Sequence, residues 1–253
     1  MKRLLMLVGI MLICSCSSHD DQSIPDKDKL KLSLQMGATN KAQSIMMKRL
    51  KKDPENIDLN FGLADIYYQQ GKYDLQKSIL SSMHIDESKD TDNFIKLNME
   101  LMRNDLKLSD FSSVTTHFNV LNNLNKNKEL THQQYGKVLT YLAIAYCKKN
   151  LFDQCIELLG TAGKYLPGDL SVSDNLSIAQ YMRSNSNASG DISLLYRGYN
   201  DSHSDTMLSN LVMALISQGD EGQAFKLLTR RYPQAEALTV IDELKAIHNV
   251  KNI

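Results

Sequence analysis

The sequence predicts an all-α chain, a solenoid of about six helix–turn–helix units closed by a C-terminal capping helix, and three observations carry that reading. The first is residues 59–73, where Leu63, Ile66 and Tyr67 recur at helical spacing, Gly71 stops the helix, and Tyr73 opens a second amphipathic run through Ile79, Leu80 and Met83. A hairpin of this kind has an apolar face that it cannot bury alone. The second is recurrence: Gly71 follows Gly37 by 34 residues, and Gly219 follows Asn150 by 69. The third is composition, with 42% hydrophobic residues, four prolines and no tryptophan in 253 residues. That is enough apolar material for a real core, with few helix breakers.

The N-terminus stands apart from the repeats. Lys2 and Arg3 precede a ten-residue apolar run from Leu4 to Ile13, too short for a bilayer span of about 20 residues. The run ends Leu12-Ile13-Cys14-Ser15-Cys16, which resembles the lipobox of bacterial lipoproteins with Cys16 at the acylated position. Ile13 stands where a small residue is wanted if Cys14 were that position. The other reading is an ordinary secretory signal followed by a free Cys16. The resemblance implies a signal peptide over residues 1–15, lipid (palmitate) on Cys16, and membrane attachment through several acyl chains. With Ser17 and Ser18 rather than aspartate after the cysteine, it implies the outer membrane of a Gram-negative bacterium, facing the periplasm. Removing residues 1–15 leaves 27 basic against 29 acidic side chains, so no basic field points to nucleic acid. Residues 16–29, polar and carrying Pro25, are expected as a flexible tether, and 30–253 as the repeat domain.

Along that domain, Gly37 to Ala42 resembles the turn and second-helix start of a tetratricopeptide repeat (TPR), closed by Asp53-Pro54. Leu63, Ala64 and Tyr67 match the family's first-helix positions in the next copy, although Gln76 stands where it prefers alanine. Phe94, Leu97, Leu101 and Met102 make a third first helix, 34 residues after the helix starting near Asn60, and Leu108 to Leu124 its partner. The fourth copy is the clearest. Leu142, Ala143 and Tyr146 lead to Asn150 in the place of the turn glycine, and asparagine is the next-best left-handed residue. Phe152, Cys155, Leu159, Ala162 and Pro167 complete it. Leu176, Ile178, Ala179 and Met182 begin a fifth copy, interrupted by the polar run 184–190. Leu208–Gln218, Gly219 and Ala224 form the sixth, and Ala235 to Val250 is the expected cap. Two separate helical domains divided near residues 125–131 are the other organisation this pattern permits.

Chemistry has no foothold. There is no nucleotide-binding loop, no Gly-x-Ser-x-Gly turn and no zinc helix, and the six histidines lie far apart, so neither an enzyme, a cofactor nor a metal site is expected. Cys147 and Cys155 read either as two core thiols or as a disulfide, the latter requiring Cα atoms within ~7 Å.

The TPR resemblance implies a concave, peptide-binding groove lined by the first helix of each repeat. Carried onto this chain it selects Phe61, Asp65, Tyr68 and Gln69, then Ile95, Met99, Met102 and Arg103. It continues with Thr140, Ile144, Cys147 and Lys148, then Asp174, Ile178, Tyr181 and Met182, and last Ser209, Met213 and Ile216. Such a Met-rich trough would suit an apolar peptide or an amphipathic helix. Lipobox and repeats together resemble the Tad/Flp pilus assembly lipoproteins of the TadD type and the type IV pilus pilotins of the PilF/PilW type. That likeness implies an adaptor in pilus or secretion-system assembly, with a secretin or another pilus component as protein partner. A scaffold for cell-envelope enzymes or outer-membrane protein assembly is the alternative.

Overall fold

The computed structural model describes residues 26–185 and 191–251, so the leader, Cys16 and most of the expected tether lie outside the described residues. Thirteen helices and no strand are found among them, a solenoid-like helical-repeat fold. The described residues form two compact units divided between Leu59 and Asn60, where the sequence pattern runs unbroken from residue 30.

In the first unit, α1 (Asp26–Gln35) packs on α2 (Thr39–Leu50) across the Gly37 turn. Residues 26–29, expected as tether, are helical. Leu30, Ala42 and Met46 are buried, and Ser33 Oγ donates to the Lys29 carbonyl.

The second unit takes in α3 (Ile57–Gln69) from Asn60 onward, followed by α4 (Tyr73–Ser82), α5 (Thr91–Leu108) and α6 (Phe111–Lys126). Then come α7 (His132–Lys148), α8 (Phe152–Tyr165), α9 (Leu170–Asn185) and α10 (Ser193–Ser202). The last three are α11 (Asp205–Ser217), α12 (Glu221–Leu228) and α13 (Gln234–Lys251). One turn device recurs: a residue in the left-handed conformation ends the first helix, and the next backbone N–H reaches back five residues. Lys72 N bonds Tyr67 O behind Gly71, Leu151 N bonds Tyr146 O behind Asn150, and Asp220 N bonds Leu215 O behind Gly219. The same closure behind Ser109 (φ 58°) joins Asp110 N to Asp105 O.

Ser109 lies 38 residues after Gly71, not the 34 that the repeat pattern predicts, because residues 83–90 lengthen the preceding connection. The face of α5 is re-phased as a result. Ile95 and Met102, expected in the groove, are completely buried, and 38 residues on from Phe61 and Asp65 are Met99 and Arg103 instead. A core of Ile95, Met102, Val114, Leu121, Leu124, Val138 and Ala145 runs through the 125–131 connection, so no domain boundary falls there.

From α5 onward the first helices touch in succession, α5 with α7, α7 with α9, and α9 with α11, so these four form a continuous layer. The terminal α13 packs on α11 and α12 through Ala237 and Ile241, which closes the core around Leu195, Met207, Leu211 and Val212. Five helix starts are satisfied by side chains: Asp90, Asp110, Ser204 and Asp220 cap α5, α6, α11 and α12, and Thr131 with Gln134 forms a capping box at α7.

Not all of the interior is apolar. Gln76, the departure from the family alanine, is buried and accepts 2.6 Å from Asn104 Nδ2, which also donates to the Tyr73 carbonyl. Beside them Lys77 bridges Asp105 (2.7 Å) and Asp110 (2.9 Å), and His117 Nδ1 donates to Asn98 Oδ1 (2.9 Å). Burial raises the Asp105 carboxyl above the usual carboxylate range against the pull of Lys77, and lowers His117 below the usual imidazole value. Hydrogen bonds from Lys77 and Ser113 bring Asp110 down to about 2.

Gly136 shows how tightly α7 meets α8. A Cβ there would lie 2.5 Å from Leu166 Cγ and 3.0 Å from Tyr165 Cβ. Alanine in a helix interior normally gains up to about 1 kcal/mol over glycine, but overpacking costs about 1–3. Gly136→Ala is therefore expected to lower the urea midpoint, whereas Gly160→Ala, with nothing within 4 Å, is expected to raise it.

A candidate binding cleft on the first-helix layer

A cleft of about 390 Å³ opens where α7, α8, α9 and α11 meet. From α7 come Ile144, Cys147 and Lys148; α9 contributes Asn175, Ile178, Ala179 and Met182; α11 contributes Asn210. Asn150 of the turn and Phe152, Cys155 and Leu159 of α8 complete the lining. Cys155, Leu159 and Ala179 are fully or almost fully buried and form part of the core beneath, so the floor is rigid, while Met182 is 42% exposed.

The α7–α8 hairpin is fastened at the cleft. Cys147 and Cys155 form a disulfide with Cα atoms 5.3 Å apart, joining the last turn of one helix to the first turn of the next. The sequence left thiols and disulfide both open; the tight Asn150 turn supplies the geometry that decides it.

The polar equipment is small. Lys148 is the one charged side chain in the lining and pairs with no described residue. Asn175 Nδ2 donates to the Ser171 carbonyl (2.7 Å), and Asn210 Nδ2 to the Thr206 carbonyl (2.8 Å). Asp153, on the same hairpin, is paired with Arg183 at 3.0 Å.

Of the residues expected in a groove, Ile144, Ile178 and Met182 come together here with Cys147 and Lys148. Others go elsewhere. Phe61, Tyr181 and Ile216 are buried, as are Ile95 and Met102, and so serve packing rather than an open surface. Asp174 is buried too, accepting 2.6 Å from the Ser204 hydroxyl, and Thr140 bonds back to the Gly136 carbonyl. Met99 is half-buried against the Ile95–Met102 core, and Met213 is half-buried on α11. Ser209 is exposed.

Asp65 and Tyr68 belong to a separate closed set. The Arg103 guanidinium lies over the Tyr68 ring at 3.9 Å and pairs with Glu100 (2.6 Å) and Asp65 (3.4 Å), and Gln69 donates to Asp65. Burial raises the Glu100 carboxyl despite Arg103. Because these charges are spent on one another, this patch offers a guest little. Sequence reasoning missed Asn175 and Asn210. The signal was present, since they stand 35 residues apart, one repeat, on neighbouring first helices.

Among the described residues no group of three or more His, Cys, Asp or Glu side chains could hold a metal, and no helix is long and apolar enough to cross a membrane.

No protein-family model matches the chain, and no characterised protein matches it in sequence. Solved structures resemble it in fold. That of MamA protein superposes with a TM-score of 0.52 at 15% identity, over 70% of this chain and 90% of that one, a likeness of fold. Two further structures have TM-scores of 0.48. A tetratricopeptide repeat protein from Parabacteroides merdae is 15% identical over 87% of this chain and 96% of its own. YrrB, described as a TPR protein with an unusual peptide-binding site, is 13% identical over 75% and 91%.

Proposed function

We propose that the protein is a non-enzymatic adaptor that holds a segment of a partner protein in the α7–α9–α11 cleft. The observation that carries this reading is an apolar cleft on a rigid, disulfide-fastened floor, with the exposed Met182 at its edge. Apolar lining with a few convergent polar groups is the usual composition of a binding site. The lipobox-like Leu12 to Cys16 supports lipid attachment at Cys16, and the disulfide supports residence in an oxidising compartment such as the periplasm. Anchored at the outer membrane in this way, the adaptor would serve assembly of a pilus or secretion system, with a secretin or another pilus component as guest. That finer reading rests on the resemblance of lipobox and repeats.

Met182→Asp tests the cleft. It places a charge at an exposed position, so the stability should stay within about 0.5 kcal/mol of wild type. A photo-crosslinking phenylalanine analogue at Phe152, an aromatic of the cleft lining, should capture a partner in intact cells, and Met182→Asp should abolish the product. Equal capture by both proteins would sink the cleft as the binding site. For the finer reading, secretin multimers that still reach the outer membrane in a deletion strain would exclude a pilotin-like role.

A further inference from the structure

The cleft's carboxamides and its one ammonium constrain its guest more closely than its apolar lining does. Asn175 and Asn210 each face a main-chain carbonyl one turn earlier in their own helices. A carbonyl oxygen only accepts, so the amino half of each carboxamide must point there, and Oδ1 is left as an acceptor. Among the described residues neither Oδ1 receives a hydrogen bond. A guest running across α9 and α11 thus meets one acceptor per helix, one repeat apart, and acceptors require donors. A helical guest has its N–H groups committed internally beyond the first turn, whereas an extended one has them free along its length. The cleft accordingly favours extended chain over the amphipathic helix that a Met-rich trough alone would also suit.

Charge supplies the second constraint. Among the described residues Lys148 has no ion-pair partner and no acidic side chain lines the cleft, Lys149 beside it is exposed, and Asp153 is committed to Arg183. A lysine in the last turn of a helix is favourable for the helix in itself. What turns it towards a guest is its place on the wall of an apolar cleft in which Asn175 and Asn210 present acceptors. A basic guest would meet like charge with no carboxylate to answer it.

Building on the adaptor reading, we propose that the cleft takes an extended protein segment in which a large aliphatic side chain stands next to an acidic residue. The aliphatic group enters between Ile144, Ile178 and Met182, the guest's backbone N–H groups donate to Asn175 and Asn210, and its carboxylate meets the Lys148 ammonium.

The probes are two fluorescein-labelled peptides of about 12 residues, end-capped, with a central Leu-Asp or Leu-Lys in a Gly/Ser frame, titrated by anisotropy into the mature chain at low salt. Wild type is expected to bind the acidic peptide about threefold to fivefold more tightly, the yield of one rim ion pair, with the difference fading as salt rises. Lys148→Glu should invert the order, and Asn175→Ala with Asn210→Ala should weaken both peptides alike while the melting curve is unchanged. Equal binding of the two peptides, or an order unaffected by Lys148→Glu, overturns the acidic specificity. Affinity unaffected by the asparagine pair overturns the extended-chain reading. If neither peptide binds while Met182-dependent crosslinking in cells persists, this proposal falls and the adaptor reading stands; loss of that dependence takes both.

Discussion

Lys77→Met is expected to destabilise the fold by about 2–3 kcal/mol, seen as a lower urea midpoint. The Asp105 side chain is wholly buried, and Lys77 is its cation at 2.7 Å; His117, 3.7 Å away, is held neutral by burial. Removing one partner of a fully buried pair costs about 3–5 kcal/mol, because the other charge stays desolvated. Lys77 is itself 32% exposed, so water shares its charge, and the cost falls at or just below the bottom of that range. Adding Asp105→Asn to Lys77→Met should restore stability by about 1 kcal/mol or more, since a neutral amide carries no stranded charge. The pH dependence has a definite sign. Burial already raises the Asp105 carboxyl, and losing Lys77 raises it further, so the folded state takes up a proton more readily than the unfolded state. The deficit of Lys77→Met relative to wild type should therefore shrink between pH 7 and 5. A deficit that grows on acidification would mean that Asp105 is not a buried charge.

The same polar set shows where sequence reading stops. Gln76 was visible as a poor match to a position that prefers alanine, but its partner Asn104 sits 28 residues away in sequence, and nothing local signals that the two amides meet. Turns were legible wherever chemistry forces them: Gly71, Asn150 and Gly219 take positive φ because glycine and asparagine do so at low cost. Ser109 was not, since serine carries no such signature, and so the four extra residues before α5 went uncounted. That slip contributed to placing Ile95 and Met102 on the wrong face, although Phe61, from which Ile95 is one 34-residue repeat away, is buried as well. Within the fourth repeat, whose pattern is nearly intact, Ile144, Cys147 and Lys148 came out together. Register pinned by a turn did not by itself decide the face: Phe61 and Ile216 lie on helices ended by Gly71 and Gly219 and are buried, Phe61 under Lys96 of α5 and Ile216 within the C-terminal core, because contacts with later helices carry no local sequence signal.

Replacing Cys147 by serine and Cys155 by alanine together is expected to cost about 2–3 kcal/mol. The bond closes a loop with a sequence separation of 8, for which the chain-entropy estimate is about 2.6 kcal/mol. Alanine is the suitable replacement at 155 because that side chain is fully buried and a hydroxyl there would be stranded. For a domain of this size the loss corresponds to a melting shift of roughly 5–10 °C. Dithiothreitol should move wild type by the same amount and leave the double variant unaffected; an unmoved wild type would mean the bond is absent or contributes nothing. Where the loss is felt matters more than its size. The α7–α8 hairpin retains its Asn150 closure and the packing of Leu159 and Ala162 without the bond, so the fold has other fastenings. The cleft has fewer, because Cys147 and Cys155 are themselves its wall. Hydrogen exchange should therefore quicken first at residues 146–155, and peptide binding should weaken in the double variant at temperatures where the chain remains folded.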